Sequence, residues 1–241
     1  MLFPRDFFDL EHFEHKSLFD DSAWPWDALA VLHTWLLDYF AGHPASIKGD
    51  ISPHAFLHGE QITVGEGTVI EDGVSITGPA IIGRNCEIRQ GAYIRGDAIM
   101  GDGAVLGHAS ELKASIMLDD AKAPHFAYVG DSILGTDVNL GAGTKLSNLA
   151  VSSEKDARGT RPTIHIPVDG ELIDTGLGKL GAIIGDHAQT GCNVVTNPGT
   201  LIGKRTLIYA GTSLAKGYYG DNAIIKLRQT LEVVTRRSHG P

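Results

Sequence analysis

A chain of 241 residues with ordinary apolar content (42%) can bury a sizeable core within one β-rich architecture. Thirty glycines against eight phenylalanines point to many tight turns and little aromatic core. A formal net charge of −9 argues against nonspecific binding to nucleic acid or to an anionic membrane, and Cys86 and Cys192, the two cysteines, sit in no metal-like or redox-like spacing.

The opening residues MLFPRDFFDLEHFEHKS are acidic and lack a continuous apolar run, unlike a secretory signal. The longest apolar stretch, Ala28 to Phe40, is interrupted by His33, Thr34 and Asp38 and is too short to span a bilayer. A soluble, cytoplasmic protein with no membrane partner is therefore expected. Residues 1–45 form a first unit. It contains a predicted helix from about Pro25 to Ala41, with proline near its start and Gly42 past its end. Trp24, Trp26 and Trp35 are read as part of a hydrophobic lid over the first coil of the repeats that begin after residue 45, in preference to a sugar platform.

From residue 46 to 222 a beat of six governs the chain. Stepping from Val64 gives Ile70, Ile76, Ile82, Ile88, Ile94, Met100, Leu106, Leu112 and Leu118, all apolar. The beat returns at Leu134, Leu140 and Leu146, and again at Ile184, Thr190, Thr196, Ile202, Ile208 and Leu214. Four places after most of these stands a small or β-branched residue, such as Thr68, Ala80, Ala98 or Ala188. Neither a helix of period 3.6 nor an alternating strand explains six. A triangular coil of three short strands does, one inward residue per strand and eighteen residues per coil. The fold class is all-β: a parallel β-helix of hexapeptide repeats. Residues 147–181 break the beat and are expected to project as a loop, with a hairpin over Thr163–Asp174 around Asp169-Gly170. Residues 223–241 read as a basic tail containing Lys226, Arg228, Arg236 and Arg237.

Eighteen-residue stacking brings particular side chains together. Arg95 and Lys113 would be neighbours able to hold one anion, or simply two solvated charges. Cys192, Ala210 and Arg228 would line one edge, small in the middle and cationic at the end, a shape that suits coenzyme A. The eleven histidines offer no three at metal-ligating spacing, so no metal site is expected. His165 and His239 are assigned to the loop and the tail.

The segment Glu111-Leu-Lys113, Lys122-Ala-Pro-His125-Phe-Ala-Tyr128-Val-Gly-Asp131 and Val138-Asn139-Leu-Gly-Ala142-Gly-Thr144 closely resembles one family. That family is the C-terminal acetyltransferase domain of the bifunctional N-acetylglucosamine-1-phosphate uridyltransferase/glucosamine-1-phosphate N-acetyltransferases. The likeness runs from about Ile82 to Arg228, and the block from Ile173 to Asp186 looks most like the archaeal-type branch. The resemblance implies a left-handed β-helix, a homotrimer with active sites between subunits, and acetyl-CoA as cosubstrate. It implies His125 as the general base, since an attacking amine must lose a proton and imidazole ordinarily changes charge near neutral pH. Glu111 matches a carboxylate near that histidine. Arg95 and Lys113 match sugar-phosphate contacts, while Tyr128, Asn139 and Asn148 match sugar contacts. The backbone N–H of Ala142 matches the donor beside the thioester, and Cys192, Ala210 and Arg228 match the coenzyme edge reached above from spacing.

The chain departs from the family after Asn148, where Leu149-Ala150-Val151 replaces the usual tyrosine, aspartate and glycine. Lys155 is only a loose counterpart of the lysine expected in the following loop. Residues 1–45 are too few for the uridyltransferase half, so sugar activation would fall to another protein. The implied activity is acetyl transfer to an amino sugar phosphate such as glucosamine-1-phosphate. The alternatives are an acyltransferase acting on a nucleotide-linked amino sugar or a sugar hydroxyl, and a noncatalytic β-helix that binds a sugar nucleotide.

Overall fold

The computed structural model describes residues 2–230 and 232–234; Arg236, Arg237 and His239 lie outside them. From Asp50 to Ile225 the chain winds as a parallel β-helix with three faces. Face 1 has nine strands, from Asp50–Ile51 to Ile224–Ile225; face 2 has eight, from Phe56–His58 to Ser213–Leu214; face 3 has eight, from Ile62–Val64 to Gly217–Tyr219. Each coil visits the faces in that order, so every strand pairs with its counterpart one coil away. The coil continues three residues beyond the expected boundary at 222 because Ile224 and Ile225 still pair with Leu207 and Ile208.

The six-residue beat builds the interior. Val64, Ile70, Ile76, Ile82, Ile88, Ile94, Met100, Leu106 and Leu112 are all buried in one core cluster, and the small residues four places on are buried at the corners. Burying such a side chain contributes about 1.5–3 kcal/mol, and stacked aliphatics repeat that gain coil after coil. Corner hydroxyls are satisfied within the coil: Thr68 Oγ1 donates to the Gly83 carbonyl (2.7 Å) and accepts from the Cys86 N–H (2.9 Å).

The beat slips by one residue at two points in mid-chain. Met117, not Leu118, pairs with Met100 and fills the interior, and Leu134 follows the inward Val129 after only five residues. The coils from Met100 to Met117 and from Met117 to Leu134 are therefore each seventeen residues long. Leu118 is buried on the outside of face 3 instead. The last coil is also shortened: Ile208 pairs with Ile225, and the register sets Leu227, rather than Arg228, beneath Ala210.

The N-terminal unit differs from the expected end lid. It contains a short helix Pro4–Phe7, a 3₁₀ turn Lys16–Phe19 and a helix Asp27–Gly42. Asp27 starts that helix by accepting the N–H groups of Ala23 and Trp24. The unit lies lengthwise along the outside of face 3, where Phe7, Phe8, Phe13, Trp26, Leu32 and Leu36 pack with the outward residues Ile81, Ile99, Ile116, Ile133, Ile183 and Leu201. The hairpin forms as expected, His165–Val168 against Glu171–Asp174, with Asp169 and Gly170 both at positive φ as its two-residue turn requires. It does not stand free: Ile164, Ile166 and Val168 close the lower part of face 3. Face 3 is thus covered within the chain, while faces 1 and 2 stay open.

Candidate functional site

The corner between faces 1 and 2 is a continuous edge. A ladder of backbone hydrogen bonds runs down it. Ala109 N–H donates to the Gln90 carbonyl (3.2 Å), Phe126 to His108 (2.9 Å), Gly143 to His125 (3.0 Å), Asn193 to Ala142 (2.8 Å) and Gly211 to Cys192 (2.9 Å). Gln90, His108, His125, Ala142, Cys192 and Ala210 therefore occupy one position in successive coils. His125, Cys192 and Ala210 are exposed along this edge, and Ala142 is half-buried. Below His125 the edge is lined by the small residues Ala142, Cys192 and Ala210, flanked by Gly143, Asn193 and Gly211, with Lys145 Nζ donating to the Gly143 carbonyl (2.7 Å). The spacing argument thus holds for Cys192 and Ala210, gains His125 and Ala142, and loses the register of Arg228.

Face 2 gathers a second group. Arg95 and Lys113 follow the inward residues Ile94 and Leu112 in adjacent coils, whose strands pair in register. Each cation is matched by a carboxylate. Arg95 Nη1 donates to Glu111 Oε1 at 2.7 Å, and Lys113 Nζ donates to Asp131 Oδ2 at 3.2 Å. Glu111 thus serves Arg95 within the chain, and no hydrogen bond joins it to His125 among the described residues. The bond and charge of Glu111 push the Arg95 guanidinium above its ordinary value. Asp131 Oδ2 also accepts from the Asn148 amide. Tyr128 pairs with Glu111 across the strands, and its phenol is raised by burial, then by the negative charges of Glu111 and Asp131. Gly130 belongs to this arrangement: a Cβ there would stand 2.6 Å from the Tyr128 hydroxyl and 2.9 Å from Asn148 Nδ2.

Two members of this group carried no role in the sequence reading. Asp131 joins Lys113 to Asn148, and Tyr93 places its ring 5.8 Å from the Arg95 guanidinium. Asp131 closes the H-x-x-Y-x-G-D motif, and Tyr93 stands eighteen residues before Glu111, so both signals were present. The remaining candidates lie apart. Asn139 sits on face 1 between Lys122 and Gln189. Lys155 is exposed in the 147–181 excursion, and Arg228 is exposed beyond the last strand. Beneath that excursion runs a cleft of about 660 Å³, lined by residues that include Ser147, Ser153, His165, Asn197 and Lys216.

A family model described as the GMPPB C-terminal domain matches residues 76–158. A bifunctional sugar-1-phosphate nucleotidylyltransferase/acetyltransferase of Sulfurisphaera tokodaii is 34% identical over 86% of this chain and 49% of its own length. The bifunctional protein GlmU of Methanococcus vannielii is 31% identical over 89% of this chain and 50% of its own. This chain is a homologue of the C-terminal β-helix domain of such proteins. It spans about half the length of these curated relatives. Among solved structures, the UDP-N-acetylglucosamine acyltransferase of Francisella novicida aligns with 71% of this chain and 60% of its own, at 16% identity and a TM-score of 0.45. AntD, an N-acyltransferase from Bacillus cereus, aligns with 84% and 89%, at 18% identity and a TM-score of 0.29. Among the described residues, no helix is long and apolar enough to cross a membrane.

Proposed function

We propose that this chain transfers an acetyl group from acetyl-CoA to the amine of an amino sugar phosphate, with glucosamine-1-phosphate the first acceptor to test. The observation that carries the reading is the single edge on which His125, Ala142, Cys192 and Ala210 lie in consecutive coils, next to the polar group of face 2. In this reading the extended arm of acetyl-CoA follows the small residues and sets its thioester between His125 and the Ala142 N–H. The amine nitrogen attacks the carbonyl carbon and passes its proton to His125. The Ala142 N–H steadies the oxyanion, and the carbon–sulfur bond then breaks to release the coenzyme thiol. Arg95 and Lys113 receive the phosphate, which must compete with Glu111 and Asp131 for them. Tyr128 and Asn148 contact the sugar.

Asn139 faces away from that group on the same chain, which supports a homotrimer in which one subunit's face 1 meets another's face 2. The homology to proteins that carry an acetyltransferase activity supports the acyl-transfer class. Release of free thiol from acetyl-CoA in the presence of glucosamine-1-phosphate tests the reading. The reaction should proceed and fall at least about 100-fold in His125→Ala, the size expected of a general base. A His125→Ala protein that keeps full turnover refutes the assignment. The cleft beneath residues 147–181 favours a second reading, in which the acceptor is a nucleotide-linked amino sugar whose nucleotide occupies that space. Turnover with such a substrate and not with the phosphate would select it.

A further inference from the structure

Directly after His125 the edge carries an anomaly. Phe126 is in the left-handed conformation at φ 51° and the residue is 57% exposed. The same corner position in other coils is held by Gly91, Ala109, Gly143, Asn193 and Gly211, all at positive φ and all far smaller or polar. An aromatic residue is disfavoured there, and this one buries little within the chain to offset that cost. Its placement is nevertheless fixed. The His108 ring stands edge-on to it, 5.3 Å between centroids at 83°. His108 is held in turn, with Nδ1 2.8 Å from the Gln90 carbonyl oxygen. A carbonyl only accepts, so Nδ1 carries the proton. Strain kept at a site with no folding benefit points to function.

We propose that Phe126, braced by His108, is the stop that limits acyl length, so that the protein prefers acetyl over longer acyl donors. The inference rests on the acyl-transfer reading above. Coenzyme approaching along Ala142, Cys192 and Ala210 brings its thioester to His125, and whatever lies beyond the carbonyl carbon then meets Phe126 and His108. A methyl group ends short of that ledge, whereas each added methylene runs into it. The chemistry is the same for every donor: the carbon–nitrogen bond forms, the carbon–sulfur bond breaks, His125 takes the amine proton, and the sulfur leaves as thiolate to become free thiol. The acyl substituent does not react, so only its length is sensed.

The test compares acetyl-, propionyl- and butyryl-CoA in wild type, Phe126→Gly and His108→Ala, by thiol release and by calorimetric Kd. Phe126→Gly copies the residue found at this corner in four other coils, Gly73, Gly91, Gly143 and Gly211, so the fold is compatible with it. Wild type should lose about tenfold or more in kcat/KM for each added methylene. In Phe126→Gly the butyryl-to-acetyl ratio should rise by at least about tenfold, with butyryl-CoA binding tighter in the same proportion. His108→Ala should move both in the same direction by less. A wild type that acetylates while Phe126→Gly leaves the ratio unmoved overturns the stop and spares the acyl-transfer reading. A wild type that binds no acetyl-CoA overturns both.

Discussion

At the scale of single residues, the two cysteines give separate reports on the structure. Cys86 is buried inside the coil, its thiol pushed up to about 11 by burial, whereas Cys192 is exposed on the candidate coenzyme edge. A thiol reacts as its thiolate, so iodoacetamide at mild alkaline pH should modify Cys192 alone in the folded protein and reach Cys86 only after unfolding. Mass spectrometry of the labelled peptides reads this directly. Acetyl-CoA should slow labelling of Cys192, and equal rates with and without it would remove this residue from the coenzyme edge. Thr196 supports a different expectation. It takes an inward, fully buried position normally held by an aliphatic residue, and its Oγ1 has no hydrogen-bond partner among the described residues. Thr196→Val keeps the shape and removes that hydroxyl, so it should stabilise by about 1 kcal/mol. A lower midpoint in urea unfolding would show that the hydroxyl is satisfied after all.

Between elements, Asp186 ties the N-terminal unit to the coil. Its side chain is 4% exposed, accepts the N–H groups of Asp9 (2.7 Å) and Thr136 (2.8 Å), and lies 3.6 Å from Lys204 Nζ. Burial nevertheless raises its carboxyl above the ordinary range, outweighing those bonds and the lysine. A carboxyl raised on folding binds its proton more tightly in the folded chain. The stability it adds is therefore fully present below its ordinary value and lost as pH rises through the raised one. Relative to Asp186→Asn, wild type should gain stability as pH falls through the raised value toward the ordinary carboxylate range. Thermal unfolding of both proteins across that range checks the sign, and parallel curves would contradict it.

The same elements show where sequence reading succeeds and where it stops. The beat of six was legible because one inward residue per strand is a geometric demand that sequence cannot hide. The five-residue step from Leu112 to Met117 was not, because Leu118 is also apolar for a separate reason: it packs outside face 3. The helix Asp27–Gly42 was legible apart from its first residues, but its destination was missed. Aromatic residues declare that they will be buried without saying against what. The missing signal lay in the coil: Ala80–Ile82, Ala98–Met100 and Ala182–Ile184 are apolar on both sides of the strand, while the outward row of face 1 mixes Glu87, Lys122, Asn139 and Gln189 with Val69, Val105 and Leu207. A strand apolar on both sides is one covered on both. The edge from His125 to Ala210 was only half legible, because the histidine and the small residues belong to one column only once the seventeen-residue coils are known.

For the molecule as a whole, covering face 3 from within decides what the other two faces can do. The polar group around Arg95, Lys113, Tyr128 and Asn148 looks out from face 2, and Asn139 looks out from face 1. In the trimer proposed above, an acceptor seated on face 2 of one copy meets Asn139 of the next copy rather than that of its own chain. Cyclic symmetry turns that arrangement into a measurement. Lys113→Ala and Asn139→Ala proteins can be unfolded together in equal amounts and refolded, so that the proposed trimers form from both. If each site draws Lys113 from one subunit and Asn139 from the next, about a quarter of the sites in a random mixture hold both intact residues. Thiol release should then recover toward that fraction of wild type. If both residues act within one chain, every subunit carries one lesion and mixing restores nothing. Recovery would assign the two faces to a shared site, and no recovery from verified mixed trimers would return Asn139 to a structural role on face 1.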